Sequence, residues 1–320
     1  MKKINKCIIR IKCFFIEWKF FGFIIAFCSL IWPFMHLLPQ KWAHVLMKRK
    51  HQFVIDYLRS RYGDKIKTFA PLGTRNGENK LYPIWVCWLQ GEDQLPKVPR
   101  VCIYSIRKYA GKHPVIIISL QNYQQYITIP DYILEKYNKG IISHAHFSDI
   151  IRTCLLYERG GVWIDATILV TKELPEILFT SPFYSIKIPD SNFYITSCKW
   201  SNFFLCSHKG NIIFEFTRML FFEYLKKEDY FIDYFMMDYF IHIGYEEYSE
   251  IRQQIDNVPF NNENIHQLGS LMNTIYNTER FQILKQNTYL FKLSWKSYLK
   301  EKVDNHITFW GFIKNNIHNS

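Results

Sequence analysis

Residues 146–167 read HFSDIIRTCLLYERGGVWIDAT, and this stretch decides how the rest of the chain is read. Its first half is apolar at helical spacing, which predicts a helix over 145–159 carrying Asp149 and Arg152 three residues apart, on one face. Gly160 and Gly161 break the helix. Val162, Trp163 and Ile164 then form a short strand, with Asp165 at its end. An acid where a parallel strand leaves its sheet is well placed to hold a metal or a polar ligand. A neighbouring helix with both charge signs can orient that ligand, so the stretch points to a nucleotide or sugar-phosphate site. A local surface ion pair is the plain alternative for Asp149 and Arg152, contributing a few tenths of a kcal/mol at most. A turn or cap residue is the plain alternative for Asp165.

Working outward, Ile84–Leu89 (IWVCWL) and Val115–Leu120 (VIIISL) read as buried strands. Helices are expected from about Arg100 to Tyr109 and from Asp131 to Tyr137. Strands alternating with helices predict an α/β core with a mostly parallel sheet. Beyond Thr171 the pattern is less regular, although 212–227 and 230–243 look helical. Residues 70–80 (APLGTRNGENK) gather Pro, Gly and Asn and mark a linker.

The chain has 320 residues, of which 48% are hydrophobic and 18% aromatic, which fits a globular protein with a sizeable core. Its net charge of +12 is concentrated at the N-terminus, where residues 1–67 hold 14 Lys or Arg against three acids. Basic charge gathered there flanks an apolar run instead of covering a working face, which fits anionic lipid and not nucleic acid. The run extends from Phe20 to Leu38, interrupted by Ser29, Pro33 and His36. At about 19 residues it just reaches the length of a span. Pro33 and His36 favour an anchor lying in the interface. A buried N-terminal helix is the structural alternative. The eight cysteines contain no C-x-x-C pair and several sit in apolar runs, which predicts free thiols, a reduced cytoplasmic compartment and no zinc site.

The stretch SDIIR…LLYERGGVWIDAT resembles the donor-site region of the capsular polysaccharide synthesis family, closely over 144–174 and more loosely over 82–120. That family is similar to glycosyltransferases with a short D-x-D signature, which include initiating mannosyltransferases and clostridial glucosylating toxins. The resemblance implies a GT-A-like nucleotide-sugar-binding core over 81–320, after a membrane-associating segment at 1–45 and a helix and linker at 46–80. It implies a bacterial hexosyltransferase at the cytoplasmic face of the cell membrane, passing a sugar from a nucleotide-sugar donor to a glycan or lipid-linked oligosaccharide acceptor.

On the same footing, Asp149, Arg152 and Gly161 are expected around the donor. Asp165 matches the first D-x-D acid and would hold a divalent cation, manganese or magnesium. Thr167 stands where the second acid is expected, and a hydroxyl is a weaker metal ligand than a carboxylate. Trp88 resembles the aromatic that stacks on the donor base, with Gln90 in the same turn. Ser294 and Trp295 resemble the end of a C-terminal loop that closes the site. Asp238, in IDYFMMDYFIHIGY (232–245), is an acid among apolar residues. It needs a partner or a function, and is expected to be catalytic, facing the acceptor hydroxyl. Asn261, Asn262, Glu263 and His266 form a polar turn that could also face the acceptor. His144 and His146 read as helix-start residues or phosphate contacts. Two rival classes remain. One is an inactive transferase-like protein that binds a membrane surface, for which Thr167 argues. The other is a phosphodiester hydrolase, which would want more metal-binding clusters.

Overall fold

A computed structural model describes residues 14–15, 18–19, 21–31, 38–73, 82–189 and 193–318. Parts of the apolar N-terminal run and most of the expected linker lie outside the described residues. The strands that build the site are β1 (Ile84–Cys87), β2 (Val115–Ile118), β3 (Gly161–Ile164), β4 (Ile168–Val170), β5 (Phe183–Ser185), β6 (Phe204–Ser207) and β7 (Leu290–Lys292). The helices are α1 (Phe23–Ile31), α2 (Gln40–Lys67), α3 (Lys97–Lys108), α4 (Asp131–Asn138), α5 (His144–Glu158), α6 (Ile177–Thr180), α7 (Ile212–Lys227), α8 (Met236–Glu247), α9 (Ser249–Asp256), α10 (Gln267–Leu271), α11 (Thr278–Lys285) and α12 (Phe309–His318).

Five strands form the main sheet in the order β2-β1-β3-β6-β5. β1 pairs in parallel with both β2 and β3, whereas β6 is antiparallel to β3 and to β5. Four of the five strands therefore point the same way and β6 is reversed. The expected mostly parallel α/β sheet is present. Its antiparallel part lies beyond Thr171, where the short strands carry little periodicity of their own. β4 and β7 form a separate antiparallel pair in which Ile168 faces Lys292.

Local chemistry accounts for the pieces around the site. Ser143 caps α5, its hydroxyl accepting from the His146 amide at 3.2 Å. Phe147, Ile150, Ile151, Cys154 and Leu155 are fully buried, so α5 is sandwiched between the sheet and α7. The helix ends at Gly160, which has φ 70° and returns its amide to the Leu155 carbonyl at 3.2 Å. Gly161 has φ 103°, and a Cβ there would meet the Pro83 carbonyl at 2.4 Å. The glycine pair therefore lets α5 turn sharply into β3 with β1 packed against the turn.

The N-terminal helix differs from its expected division. α2 is one continuous helix across the 45/46 boundary. Its stripe of Val54, Leu58, Tyr62 and Ile66 joins the same core as the sheet, because these positions recur at helical spacing on one face. The helix expected over 230–243 begins later, at Met236, and runs to Glu247. Side chains hold the preceding residues as a loop. The Tyr224 hydroxyl donates to the Tyr230 carbonyl at 2.6 Å and accepts from the Ile232 amide at 3.0 Å, and Asp233 pairs with Lys50 of α2. A second core, built on Leu169, Phe291, Phe309 and Trp310, carries the C-terminal region and fixes β7 beside the end of β3.

Candidate active site

Asp165 is the first residue after β3. The β1–β3 register pairs Ile84 with Val162 and Trp85 with Trp163, so Asp165 emerges level with Cys87 at the carboxyl edge of the parallel strands. Its amide donates to the Phe203 carbonyl at 2.9 Å. Its Oδ1 accepts from Trp163 Nε1 at 3.0 Å and from Arg152 Nη2 at 3.2 Å, and its Oδ2 accepts from Lys292 Nζ at 2.7 Å. Burial alone would raise this carboxyl. The Lys292 and Arg152 charges and the Lys292 and Trp163 hydrogen bonds outweigh it and hold Asp165 near 2.

Arg152 joins α5 to the strand end. Besides Asp165, its Nη2 lies 3.4 Å from Asp149 Oδ1, its Nη1 donates to the Asn202 carbonyl at 2.5 Å, and its guanidinium sits 4.7 Å above the Trp163 ring. The pair is therefore no isolated surface contact, and Arg152 is buried. Burial pushes Asp149 up to about 6, against the pull of Arg152 and with a small push from Asp165. Two carboxylates at one site thus titrate far apart, one firmly ionised and one near its midpoint at mildly acidic pH.

Trp88 continues β1 into the same edge. Its ring meets that of Trp295 at 5.9 Å and 88°, an edge-to-face contact. Trp295 and Ser294 are exposed, as is Gln90 in the turn after Trp88. Trp88 Nε1, Arg152 Nε and Asn202 Oδ1 are buried without hydrogen-bond partners among the described residues. Buried polar groups are usually paired, and Arg59 Nε, His113 Nε2 and Tyr289 Oη are exceptions of the same kind elsewhere. A cleft of about 240 Å³ is lined by Gly269, Met272, Lys292 and Ser294. A larger one of about 340 Å³, lined by Leu72, Tyr157 and Lys209, lies toward the opposite end of β3, near Gly160, away from these charges.

Some expected residues fall elsewhere. Gly161 begins β3, about 13 Å from Asp165 at a strand's rise per residue. Its place is explained by backbone packing against the Pro83 carbonyl. Asp238 is buried, with Oδ1 accepting from Trp200 Nε1 at 2.9 Å. It feels the charges of Asp149 and Arg152, but its carboxylate is enclosed by the fold. Thr167 is buried, and its carbonyl accepts from the Leu293 amide at 2.9 Å. His146 is buried on the Phe231 ring and kept neutral, lowered to about 4 chiefly by burial. His144 bonds Tyr137 and faces away into solvent. Asn262 Oδ1 accepts from the amides of Tyr289 and Leu290 at 2.9 and 3.0 Å, and so sets β7 instead of facing an acceptor. His266 meets the Phe203 ring edge-on at 5.9 Å.

Lys292 was not among the sequence candidates. The only signal for it was its position two residues before Ser294, since a strand lysine ordinarily reads as solvated. The β4–β7 ladder, invisible in periodicity, brings it to Asp165.

The divalent cation expected at Asp165 does not fit these residues. Magnesium or manganese would need carboxylate oxygens free to coordinate. Both oxygens of Asp165 accept from N–H donors, two of them cationic. Position 167 supplies a buried threonine, and among the described residues no group of three or more His, Cys, Asp or Glu is placed to hold a metal.

Burial also pushes Asp238 up to about 7 from an ordinary 3.8, against the Trp200 hydrogen bond and with a small push from Asp149. A carboxyl raised on folding contributes stability that is present below about 3.8 and lost as pH rises through about 7. Asp238→Asn keeps an oxygen for Trp200 and has no charge to bury. The variant should melt higher than wild type at pH 8, with the gap closing toward pH 4. Parallel melting curves across that range would contradict the burial.

A site of paired charges at the carboxyl edge of a parallel sheet, walled by tryptophans, is the arrangement on which the family assignment falls. The family model for capsular polysaccharide synthesis protein matches residues 36–310, and the chain belongs to that family. A solved structure titled "PaToxG Glycosyltransferase" is similar, at 15% identity and a TM-score of 0.36, over 68% of this chain and 83% of that one. No curated protein matches the chain.

Proposed function

We propose that this protein is a glycosyltransferase that takes a nucleotide-sugar donor at the edge formed by Trp88, Asp149, Arg152 and Asp165. The observation that carries the reading is the convergence of Arg152 and Lys292 on Asp165, beside unpaired buried donors on Trp88 and Arg152. Two fixed cations at one carboxylate suit a diphosphate, whose charge grows as it leaves. Asp149, near its midpoint at mildly acidic pH, can accept hydrogen bonds from sugar hydroxyls. The exposed Trp295 against Trp88 gives an aromatic wall for a base, a face that every base can use.

The acceptor in this reading is a glycan or a lipid-linked oligosaccharide. The rival reading, an inactive transferase-like binding protein, is separated by donor hydrolysis. Purified protein given a panel of nucleotide sugars should release nucleoside diphosphate from one of them. Donor that binds and stays intact favours the inactive reading.

The protein is further proposed to work at an anionic membrane surface on the cytoplasmic side. Phe23 and Phe27 of α1 and Trp42, Lys41, Lys48 and Arg49 of α2 are all exposed, apolar and basic side chains of the kind that lie in an interface. Among the described residues no helix is long and apolar enough to cross a membrane. Burying each aromatic is worth about 1.5–3 kcal/mol. Phe23→Glu combined with Phe27→Glu and Trp42→Glu should therefore weaken sedimentation with phosphatidylserine vesicles by at least about tenfold. Sedimentation unchanged in the folded variant would move the membrane surface elsewhere.

A further inference from the structure

We propose that the Lys292 ammonium does the work expected of a divalent cation, as a fixed positive charge facing the donor diphosphate. The proposal rests on the glycosyltransferase reading above.

Backbone pairing, and not a chance meeting of long side chains, places the lysine. β4 begins three residues after Asp165 and pairs with β7, so Ile168 faces Lys292. The Leu293 amide donates to the Thr167 carbonyl at 2.9 Å and the Lys292 amide to the Ile265 carbonyl at 2.8 Å. Nζ then lies 2.7 Å from Asp165 Oδ2 and 5.0 Å above the Phe203 ring. An ammonium has three donors. Asp165 takes one, and the side chain is about a quarter exposed, lining the cleft that also holds Ser294. Donors therefore remain for a ligand.

The acid that would complete a metal site is replaced by Thr167, buried and tied to the same ladder. Asp165 is already neutralised by Arg152 and Lys292. A divalent ion would have to displace both and would then sit beside two like charges. Two protein cations, one planar and one compact, instead straddle one carboxylate. Asp165 aims them and limits their mutual repulsion.

In the transfer, the bond between the sugar's anomeric carbon and the diphosphate oxygen breaks, and its electron pair stays on that oxygen. The acceptor hydroxyl oxygen bonds the carbon, and its proton passes to water. Lys292 exchanges no proton; with Arg152 it offsets the charge left on the diphosphate.

Calorimetric titration of the EDTA-treated full chain with UDP, GDP, CDP and ADP, each with and without manganese, tests this directly. One of these should bind the metal-free protein within about threefold of its affinity with manganese. Lys292→Gln should weaken metal-free binding by at least about tenfold, and Lys292→Arg should restore part of it. Binding that requires manganese overturns the role of Lys292 and leaves the donor-site reading standing. So does metal-free binding that Lys292→Gln leaves unchanged. Should none of the four bind under either condition, the donor-site reading fails and this inference with it. The wild-type comparison needs no variant, so it stands even if a substitution unfolds the protein.

Discussion

Asp165→Asn should lower sugar transfer by roughly 10²-fold or more, the scale seen when a preorganised electrostatic group is removed from an active site. The substitution is nearly isosteric and keeps an oxygen for Trp163 Nε1, so β3 and its turn remain in place. What it removes is the charge that holds Lys292 at 2.7 Å and Arg152 at 3.2 Å. The two cations then repel each other and lose their aim, although the net positive charge facing an anion increases. Turnover should therefore fall much more than affinity for a free nucleoside diphosphate. Steady-state transfer by the purified variant checks this, and near-normal transfer would remove Asp165 from the chemistry.

Arg152→Lys should cost at least about tenfold in kcat/KM, equivalent to about 1.4 kcal/mol. Arg152 makes several contacts that depend on a planar fork: Nη1 to the Asn202 carbonyl, Nη2 to Asp165 and Asp149, and the guanidinium over Trp163. A lysine keeps the charge but cannot span them. Asp149→Ala should also weaken the donor, and the double variant should lose less than the two single losses combined, because both residues grip one ligand. A pair that served only as a surface contact would change stability by less than about 1 kcal/mol and leave the kinetics alone. Its burial and its link to Asp165 argue against that outcome.

The central part of this fold was legible because its signals are local. Helical spacing, the glycine break and an acid after three apolar residues lie within one short stretch, and together they placed α5, β3 and Asp165. Trp88 and Trp295 were also singled out, and the structure brings them into contact. Lys292 was not legible. Its role depends on pairing β7 with a strand more than a hundred residues earlier, and no local pattern encodes such a pairing. Gly161 is ambiguous for a related reason. A glycine beside a site motif can serve the ligand or the backbone, and the backbone need, the close approach of the Pro83 carbonyl, shows only in the fold. For Asp238, the sequence showed that an acid was buried but not that Trp200 was its partner.

The most direct test of the donor site is titration of nucleotide sugars into the wild-type chain and into Arg152→Lys and Trp88→Ala, followed by calorimetry. One nucleotide sugar should bind the wild type, and each variant should bind it at least about tenfold more weakly while melting as a folded protein. No binding by any nucleotide sugar, or wild-type affinity in both variants, would contradict a donor site at the carboxyl edge of β1 and β3.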